Sequence, residues 1–415
     1  MQSHCGRYVI VFNGEIYNFG ELHKGLTARH ATLNWRGHSD TEVLLELIAH
    51  DGLDSALSQL DGMFAFALYD RQERSLTLVR DPFGEKPLYY GLWNGVFLFA
   101  SELRAMREWP GFSPSHDHVA LADYFKYSYI PAPATVYRGI FKLPQASTLT
   151  VDVDRLRRLE LPKPSAYWDM VGSALKGIDA PFSGTHDEAL DAVESTLTRS
   201  CERRMVSDVP LGAMLSGGID SSLVVAMMQQ GASVPVRTFT IGMDEPGYNE
   251  TAYARSVASH LGTEHHELVL SPAQIQSVIP DIASIYDEPF ADSSQVPTFL
   301  VSRMAREEVT VALSGDGGDE LFAGYNRYSR GASLWSRLEG YPPAMRHLGA
   351  TLLRGFPPTM INGLVSLLGP LAPEELAAGR AGEKLHKLAG LLTAADQFEF
   401  HDRLLTTGYG VESLA

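Results

Sequence analysis

The chain has 415 residues, more than the roughly 250–300 at which a single hydrophobic core stops growing, so two domains are expected. Its net charge of −16 disfavours a nucleic-acid partner, because such binding needs a concentrated basic surface. Two cysteines cannot form a disulfide framework and the first residues lack a basic-then-apolar leader, so we expect a cytoplasmic location. The longest apolar stretch, 360–372, is too short to span a membrane.

The first half of the chain has the pattern of a β-rich domain. Helical patterns occur only near 40–51 and 117–125, and we predict an antiparallel domain over 1–158. A linker rich in Pro, Gly and Ser is predicted over 159–185. Short alternating runs predict strands at 8–12, 64–69, 76–80, 88–90 and 96–100.

From residue 186 to the end, at 415, the chain is predicted to form a second domain in which strands and helices alternate. This alternation predicts a doubly wound parallel sheet, whose ligands bind at the carboxyl ends of the strands. Ser216 and Ser314 each follow a predicted strand by one residue, so their loops are expected to face one pocket. The predicted strands are 211–215, 236–241, 265–270 and 309–313, and the predicted helices are 187–205, 220–230, 248–261 and 296–308.

The loop 216–222 has the composition of a phosphate site. Gly217 and Gly218 lack a β-carbon, so backbone N–H groups can close on an anion that the following helix N-terminus also attracts. The Lys-Ser/Thr pair of a P-loop and the Gly-x-Gly-x-x-Gly turn are both absent from it. The alternative is an ordinary glycine turn between a strand and a helix.

The loop after the last predicted strand adds an acidic cluster. Asp316, Asp319 and Glu320 surround two glycines, and carboxylates beside a phosphate loop are typical of a magnesium site. The alternative is an acidic surface turn. A second Ser-Gly at a strand end favours the metal site, because a solvated turn does not need it.

Together with 238–242, these two loops resemble the synthetase domain of glutamine-hydrolysing asparagine synthetases over most of 186–330. The resemblance implies ATP and Mg²⁺ as cofactors, and conversion of L-aspartate to L-asparagine through a β-aspartyl adenylate, with release of AMP and pyrophosphate. It implies that Asp316 is the catalytic carboxylate, although many relatives carry Glu there. The implied ATP-binding residues are Leu215 and Ile241 at the adenine, Ser216, Gly217, Gly218, Asp220, Ser221 and Ser222 at the pyrophosphate, and Ser314 and Gly315; the implied metal ligands are Asp220 and Asp319.

In the first half, the segments 12–18, 36–42, 61–66 and 80–87 resemble, in order, the glutaminase domain of the same family. The resemblance implies that Asn13 and Gly14 form an oxyanion hole, that Gly14 and Glu15 contact glutamine, and that Asp40 binds its α-amino group. On its own, the Asn13-Gly14 dipeptide indicates a hairpin turn.

The nucleophile of that family is an N-terminal cysteine that acts through its own α-amine. Cys5 has no free amine, so we interpret it as a turn residue before strand 8–12 and expect nitrogen from ammonia rather than from glutamine. The family's glutamine-binding arginine has no match, nor does a basic segment expected after residue 380. We therefore expect a chain truncated at both ends, with an open sheet edge beside strand 8–12.

Several alternatives stay open. The chain could amidate another carboxylate, such as a sugar acid or a peptide, or close a lactam; it could modify transfer RNA, which its acidity disfavours; or it could be a non-catalytic fragment. The acidic run 287–294 either adds to the aspartate or nucleotide pocket or is a polar loop before a helix. The oligomeric state is also open, with a homodimer as one option.

Overall fold

The computed structural model describes residues 1–30, 33–152, 160–244, 251–368 and 381–406. These form two compact units, the first comprising Met1–Tyr124 with Ser128–Gly315, and the second comprising Phe125–Tyr127 with the described residues after Gly315. No helix in these described ranges is long and apolar enough to cross a membrane. Parts of three predicted segments lie outside the described residues: the linker 159–185, the helix 248–261 and the apolar stretch 360–372.

The N-terminal half of the first unit is built on antiparallel strands, as predicted. A five-stranded sheet has the order β1-β2-β3-β7-β8, and a three-stranded sheet has the order β5-β4-β6. β1 lies at an edge, where its outer side is paired near its start because the Ile10 N–H donates to the Met1 carbonyl at 2.8 Å. The strands are β1 (Tyr8–Ile16), β2 (Gly62–Asp70), β3 (Ser75–Arg80), β4 (Tyr89–Trp93), β5 (Val96–Ala100), β6 (Ile140–Lys142), β7 (Ser147–Asp152) and β8 (Ser165–Ala166).

Five helices accompany these strands. The second of them, α2, is capped by Ser39, whose side chain accepts the Glu42 N–H, and packs its apolar side chains against Phe64 and Phe66 of β2. The prediction of helical patterns only near 40–51 and 117–125 is wrong, because helices also form at Phe19–Arg29 (α1), Leu53–Leu57 (α3) and Leu103–Arg107 (α4). α1 contains two glycines and has one fully buried side chain, Leu26, so its periodicity is weak. The helices are α1 (Phe19–Arg29), α2 (Asp40–Asp51), α3 (Leu53–Leu57), α4 (Leu103–Arg107) and α5 (His118–Tyr127).

The predicted linker contains two ordered elements. β8 pairs antiparallel with β7, and α6 (Met170–Asp179) begins after Asp169, whose carboxylate accepts the N–H groups of Val171 and Gly172. α6 has no buried residue, so the absence of a core-facing side chain hid it among the Gly and Pro signals.

The rest of the first unit is a parallel sheet of order β11-β10-β9-β12, and the doubly wound architecture is confirmed. One face packs Leu215 against Val225 and Ala254, and the other packs Phe239 against Ala305. The strands are β9 (Leu211–Met214), β10 (Arg237–Met243), β11 (Glu264–Leu270) and β12 (Val311–Leu313), and the helices are α7 (His186–Arg204), α8 (Ile219–Gly231), α9 (Thr251–Leu261), α10 (Pro272–Val278), α11 (Ile282–Ile285) and α12 (Gln295–Glu308).

The second unit is helical. Its core contains Leu338, Leu391 and Phe400, and the carboxylate of Asp402 accepts hydrogen bonds from Lys126 Nζ and Tyr127 Oη, both at 2.8 Å. The helices are α13 (Gly318–Phe322), α14 (Asn326–Leu338), α15 (Pro343–Arg354), α16 (Pro358–Leu368), α17 (Ala381–Leu392) and α18 (Gln397–Leu405).

Candidate functional site

The loop between β9 and α8 is held in place by its own hydroxyl groups. Ser216 Oγ lies 2.9 Å from Ser221 Oγ and accepts the Gly218 N–H at 3.2 Å, and Ser222 Oγ donates to the Gly218 carbonyl at 2.6 Å. Gly217 has φ +82°, and a β-carbon there would lie 2.6 Å from the Ala254 nitrogen. The loop therefore needs glycine at this position for both its backbone conformation and its packing.

The second glycine loop reaches the same helix end. A β-carbon on Gly315 would lie 2.6 Å from the Ser221 nitrogen and 3.1 Å from the Asp220 β-carbon. Ser314 follows β12 by one residue as expected, whereas β9 ends at Met214, so Ser216 follows its strand by two. The predicted convergence of the two strand-end loops is thus present in the first unit.

The two proposed adenine residues differ in exposure. The Leu215 side chain is 1% exposed and packs in the core, and its backbone N–H donates to the Phe239 carbonyl at 2.9 Å. Ile241 is partly buried and packs beside Leu270. The Leu215 side chain therefore packs in the core beneath the loop.

The acidic residues after Gly315 belong to the second unit. Gly317 has φ +91° and is the N-cap of α13, which carries Asp319 and Glu320. Glu320 accepts a hydrogen bond from Tyr325 Oη at 2.7 Å, which raises the pKa of Tyr325 to about 12. Of the three predicted acids, Glu320 is therefore engaged with its own helix neighbourhood.

Carboxylate oxygens are the donors that magnesium prefers, so the chemistry of Asp220 and Asp319 suits this ion. Within the described ranges, no group of three or more His, Cys, Asp or Glu side chains could hold a metal. The metal role of these two residues therefore stays a prediction.

The four proposed amide-donor residues lie around the end of β1. Asn13 Nδ2 donates to Ser101 Oγ at 3.0 Å, and Asp40 accepts the Ile16 N–H at 2.9 Å on the outer side of the strand. Because N–H directions alternate along a strand, the Gly14 N–H faces this same outer edge. A β-carbon on Gly14 would collide with the Met63 carbonyl.

Two carboxylates, those of Glu15 and Asp40, influence each other electrostatically at this edge. Partial desolvation and the negative charge of Asp40 raise the pKa of Glu15. Such an acidic pair beside an N–H donor can attract a cationic group, since a positive charge would relieve the repulsion.

Cys5 occupies a turn, as predicted, in which the Ser3 N–H donates to the Tyr8 carbonyl at 3.0 Å. Asn13 lies five residues further along β1 than Tyr8, about 16 Å at the rise of an extended strand. Cys5 is exposed and lines a different cleft of about 610 Å³ with His4, His30 and His50. It therefore lies at the opposite end of β1 from the proposed oxyanion hole.

Sequence reasoning noted the 80–87 segment but missed its role. Asp81 is fully buried, and its carboxylate accepts the N–H groups of Phe64, Phe83, Glu85 and Lys86 at 2.9–3.2 Å. The sequence Asp81-Pro-Phe-Gly84 is a turn signal that could have indicated these four hydrogen bonds.

The first two carboxylates of the acidic run 287–294 bind basic and backbone groups of the antiparallel region. Asp287 accepts from Arg104 Nε at 3.0 Å, and Glu288 accepts the Val136 N–H at 2.7 Å and pairs with Lys142 at 2.6 Å. These two acids join the parallel-sheet region to the antiparallel region within the first unit.

Comparison with known proteins agrees with both halves of the fold. Residues 192–408, just over half of the chain, match the family described as asparagine synthase, and residues 1–168 match a glutamine amidotransferase domain. Glutamine-hydrolysing asparagine synthetase 1 of Bacillus subtilis is 35% identical over 351 residues, covering 84% of this chain and 53% of that protein. The glutamine-hydrolysing asparagine synthetase of Gallus gallus is 30% identical over 339 residues, covering 78% of this chain and 55% of that protein.

The chain thus spans about half the length of these curated relatives. Its antiparallel region coincides with the amidotransferase match and its parallel sheet with the synthase match. The chain belongs to the asparagine synthase family.

Proposed function

We propose that the chain catalyses ATP-dependent amidation of L-aspartate to L-asparagine through a β-aspartyl adenylate, releasing AMP and pyrophosphate. The observation that carries this proposal is the approach of Gly315 to Ser221, which brings both strand-end loops to one helix N-terminus. Backbone N–H groups at such an end suit the phosphates of a nucleotide. The family match and the relatives named above support the same reaction.

The reaction needs two displacements. A β-carboxylate oxygen of aspartate attacks the α-phosphorus and pyrophosphate leaves; ammonia then attacks the activated carbonyl carbon and AMP leaves. We assign the pyrophosphate to the 216–222 loop, with Ser314 and Gly315 beside the nucleotide and Leu215 and Ile241 near the adenine. Magnesium, held by Asp220 and Asp319, would neutralise phosphate charge.

Asp316 directly follows the Ser314-Gly315 corner in the chain. Its carboxylate can accept a proton from the attacking ammonia, which makes it our catalytic residue. In this chain its reach is one methylene shorter than that of the Glu found in many relatives.

For nitrogen, we propose that this chain uses ammonia and does not hydrolyse glutamine. Support comes from Cys5, which lies at the opposite end of β1 from Asn13 and Gly14. Asn13, Gly14, Glu15 and Asp40 are proposed to bind glutamine without cleaving it, with Asp40 at the α-amino group.

The test is an assay of pyrophosphate release with ATP, Mg²⁺, aspartate and ammonium. We expect release that requires aspartate and ammonium together, loss of it in Asp316→Ala, and its retention in Asp316→Glu, the matched control. Pyrophosphate release that depends on a different carboxylate substrate would show that aspartate is not the acceptor. Release unaffected by Asp316→Ala would contradict the catalytic role of Asp316. For the nitrogen source, glutamine hydrolysis abolished by Cys5→Ala would contradict the proposal.

A further inference from the structure

The short helix α4 belongs to the antiparallel (amidotransferase) region of the first unit and also contacts the parallel-sheet region. Two residues before it, Ser101 accepts the hydrogen bond of Asn13 Nδ2 at 3.0 Å. From α4 itself, Arg104 donates through Nε to Asp287 at 3.0 Å and through Nη2 to the Ile285 carbonyl at 2.8 Å, and its backbone N–H donates to Asp287 at 3.2 Å. Three bonds from one residue therefore hold the start of the 285–294 segment.

The carboxylate of Asp287 is largely buried and pairs with two arginines of α4. Its side chain is 10% exposed, and Arg107 Nη2 approaches the same carboxylate at 3.5 Å. Replacing Arg104 by alanine removes its two side-chain bonds to this segment and leaves the largely buried carboxylate with Arg107 at 3.5 Å and one backbone N–H, a weaker set of partners that is more disruptive than the loss of a solvated surface pair. The segment should therefore move when Arg104 is removed.

The position of the segment 285–294 in the fold relates its contacts with Arg104 to the nucleotide loops. α12 precedes the parallel strand β12 and runs back across the sheet, so its first residues lie at the carboxyl edge of the strands. Ser216 and Ser314 follow strands at this same edge. The segment also leaves the exposed residues 292–294 there, directly before α12.

We infer that Arg104, although it lies in the amidotransferase region, is a positioning residue for the synthetase reaction, because it fixes the segment 285–294 at the edge where the nucleotide loops end. This inference rests on the proposed function for its catalytic consequence. Its structural part, the ordering of 285–294 by Arg104, stands on the contacts alone.

The first experiment is hydrogen exchange measured by mass spectrometry on the whole chain. In Arg104→Ala, we expect exchange in peptides covering 285–294 to rise roughly tenfold, with partial recovery in Arg104→Lys. The matched control is Arg29→Ala, which removes a bidentate pair with Asp51, at 2.9 Å, inside the amidotransferase region. Unchanged exchange at 285–294 in Arg104→Ala, or an equal rise in Arg29→Ala, overturns the inference.

The second experiment uses pyrophosphate release with ammonium. We expect Arg104→Ala to raise the KM for aspartate or for ATP roughly tenfold with kcat nearly unchanged, and Arg104→Lys to recover part of this loss. Equal kinetics in Arg104→Ala and the parent chain overturn the role in the reaction. If the parent chain releases no pyrophosphate at all, the proposed function fails, while the exchange experiment still decides whether Arg104 orders the segment.

Discussion

Gly315 lies so close to Ser221 that a methyl group on its α-carbon would come within 2.6 Å of the Ser221 nitrogen. That nitrogen belongs to the first turn of α8, whose N–H groups have no partner within the helix. The two loops therefore contact each other through backbone atoms, and side chains do not separate them. This close approach supports the proposal of a shared phosphate site.

We predict that Gly315→Ala separates the two loops and weakens Mg²⁺-ATP binding by at least about tenfold. The added methyl group meets backbone atoms of Asp220 and Ser221, which cannot move aside without shifting the start of α8, and such overpacking typically costs about 1–3 kcal/mol. Isothermal titration calorimetry and thermal unfolding measure the two effects.

A matched control for this variant is Gly363→Ala. Gly363 lies within α16, and an added β-carbon there would meet nothing within 4 Å. Alanine should leave ATP binding unchanged and stabilise the helix by up to about 1 kcal/mol. Unaltered ATP affinity in Gly315→Ala would remove the main support for a common site.

Asp81→Ala should destabilise the amidotransferase region by roughly 2–4 kcal/mol, because four backbone N–H groups lose the buried carboxylate that accepts them. Asp81→Asn, which keeps one carbonyl acceptor, should have a smaller effect. Urea unfolding monitored by tryptophan fluorescence measures both, with the exposed Asp54→Ala as control. A stability loss no larger than that of Asp54→Ala would show that these four hydrogen bonds contribute little to the free energy of unfolding.

Patterns local in sequence predicted much of this fold and site. The alternation of strands and helices after residue 186 indicated the parallel sheet, and glycines after two strands indicated converging loops, because both follow from short-range backbone preferences. The pairing of Arg104 with Asp287 spans 183 residues and has no such signal. Its partners become neighbours only when the two regions pack together, so sequence reasoning left the acidic run 287–294 with two interpretations.

Glu15 gives a prediction about pH. A carboxyl whose pKa is raised on folding binds more protons in the folded chain, so the desolvation of Glu15 and its repulsion with Asp40 lower stability at neutral pH, and this penalty disappears as the pH falls toward 4.5. Glu15→Gln should therefore melt at a higher temperature than the parent chain at pH 7 and at the same temperature near pH 4. Differential scanning calorimetry across this range measures the difference.

If glutamine binds as proposed, with its α-amino group between the two acids, its affinity should depend on pH. Protonation of Glu15 removes attraction for that ammonium, so affinity should fall as the pH drops from 7 toward 4.5, and the fall should be weaker in Glu15→Gln. Calorimetric titration with glutamine, with Asp40→Asn as the variant that loses binding at both pH values, measures this. Binding that strengthens on acidification would contradict the placement of the ammonium.

Arg203 of α7 forms a second charged connection between the two regions of the first unit. Its Nη1 lies 2.6 Å from Asp61 and its Nη2 lies 2.8 Å from Glu21, and these hydrogen bonds raise the pKa of Arg203. Both acids are at least a third exposed, so water can solvate them when the arginine is lost, and Arg203→Ala should destabilise the unit by only about 1 kcal/mol.

Because exposed charges are screened by salt, the difference in melting temperature between Arg203→Ala and the parent chain should shrink toward zero near about 1 M NaCl. Arg203→Lys should recover only part of the stability, since one ammonium cannot make the forked contacts of a guanidinium. A difference that persists at high salt would mean that the arginine acts through the packing of its side chain on the amidotransferase region and not through its charge.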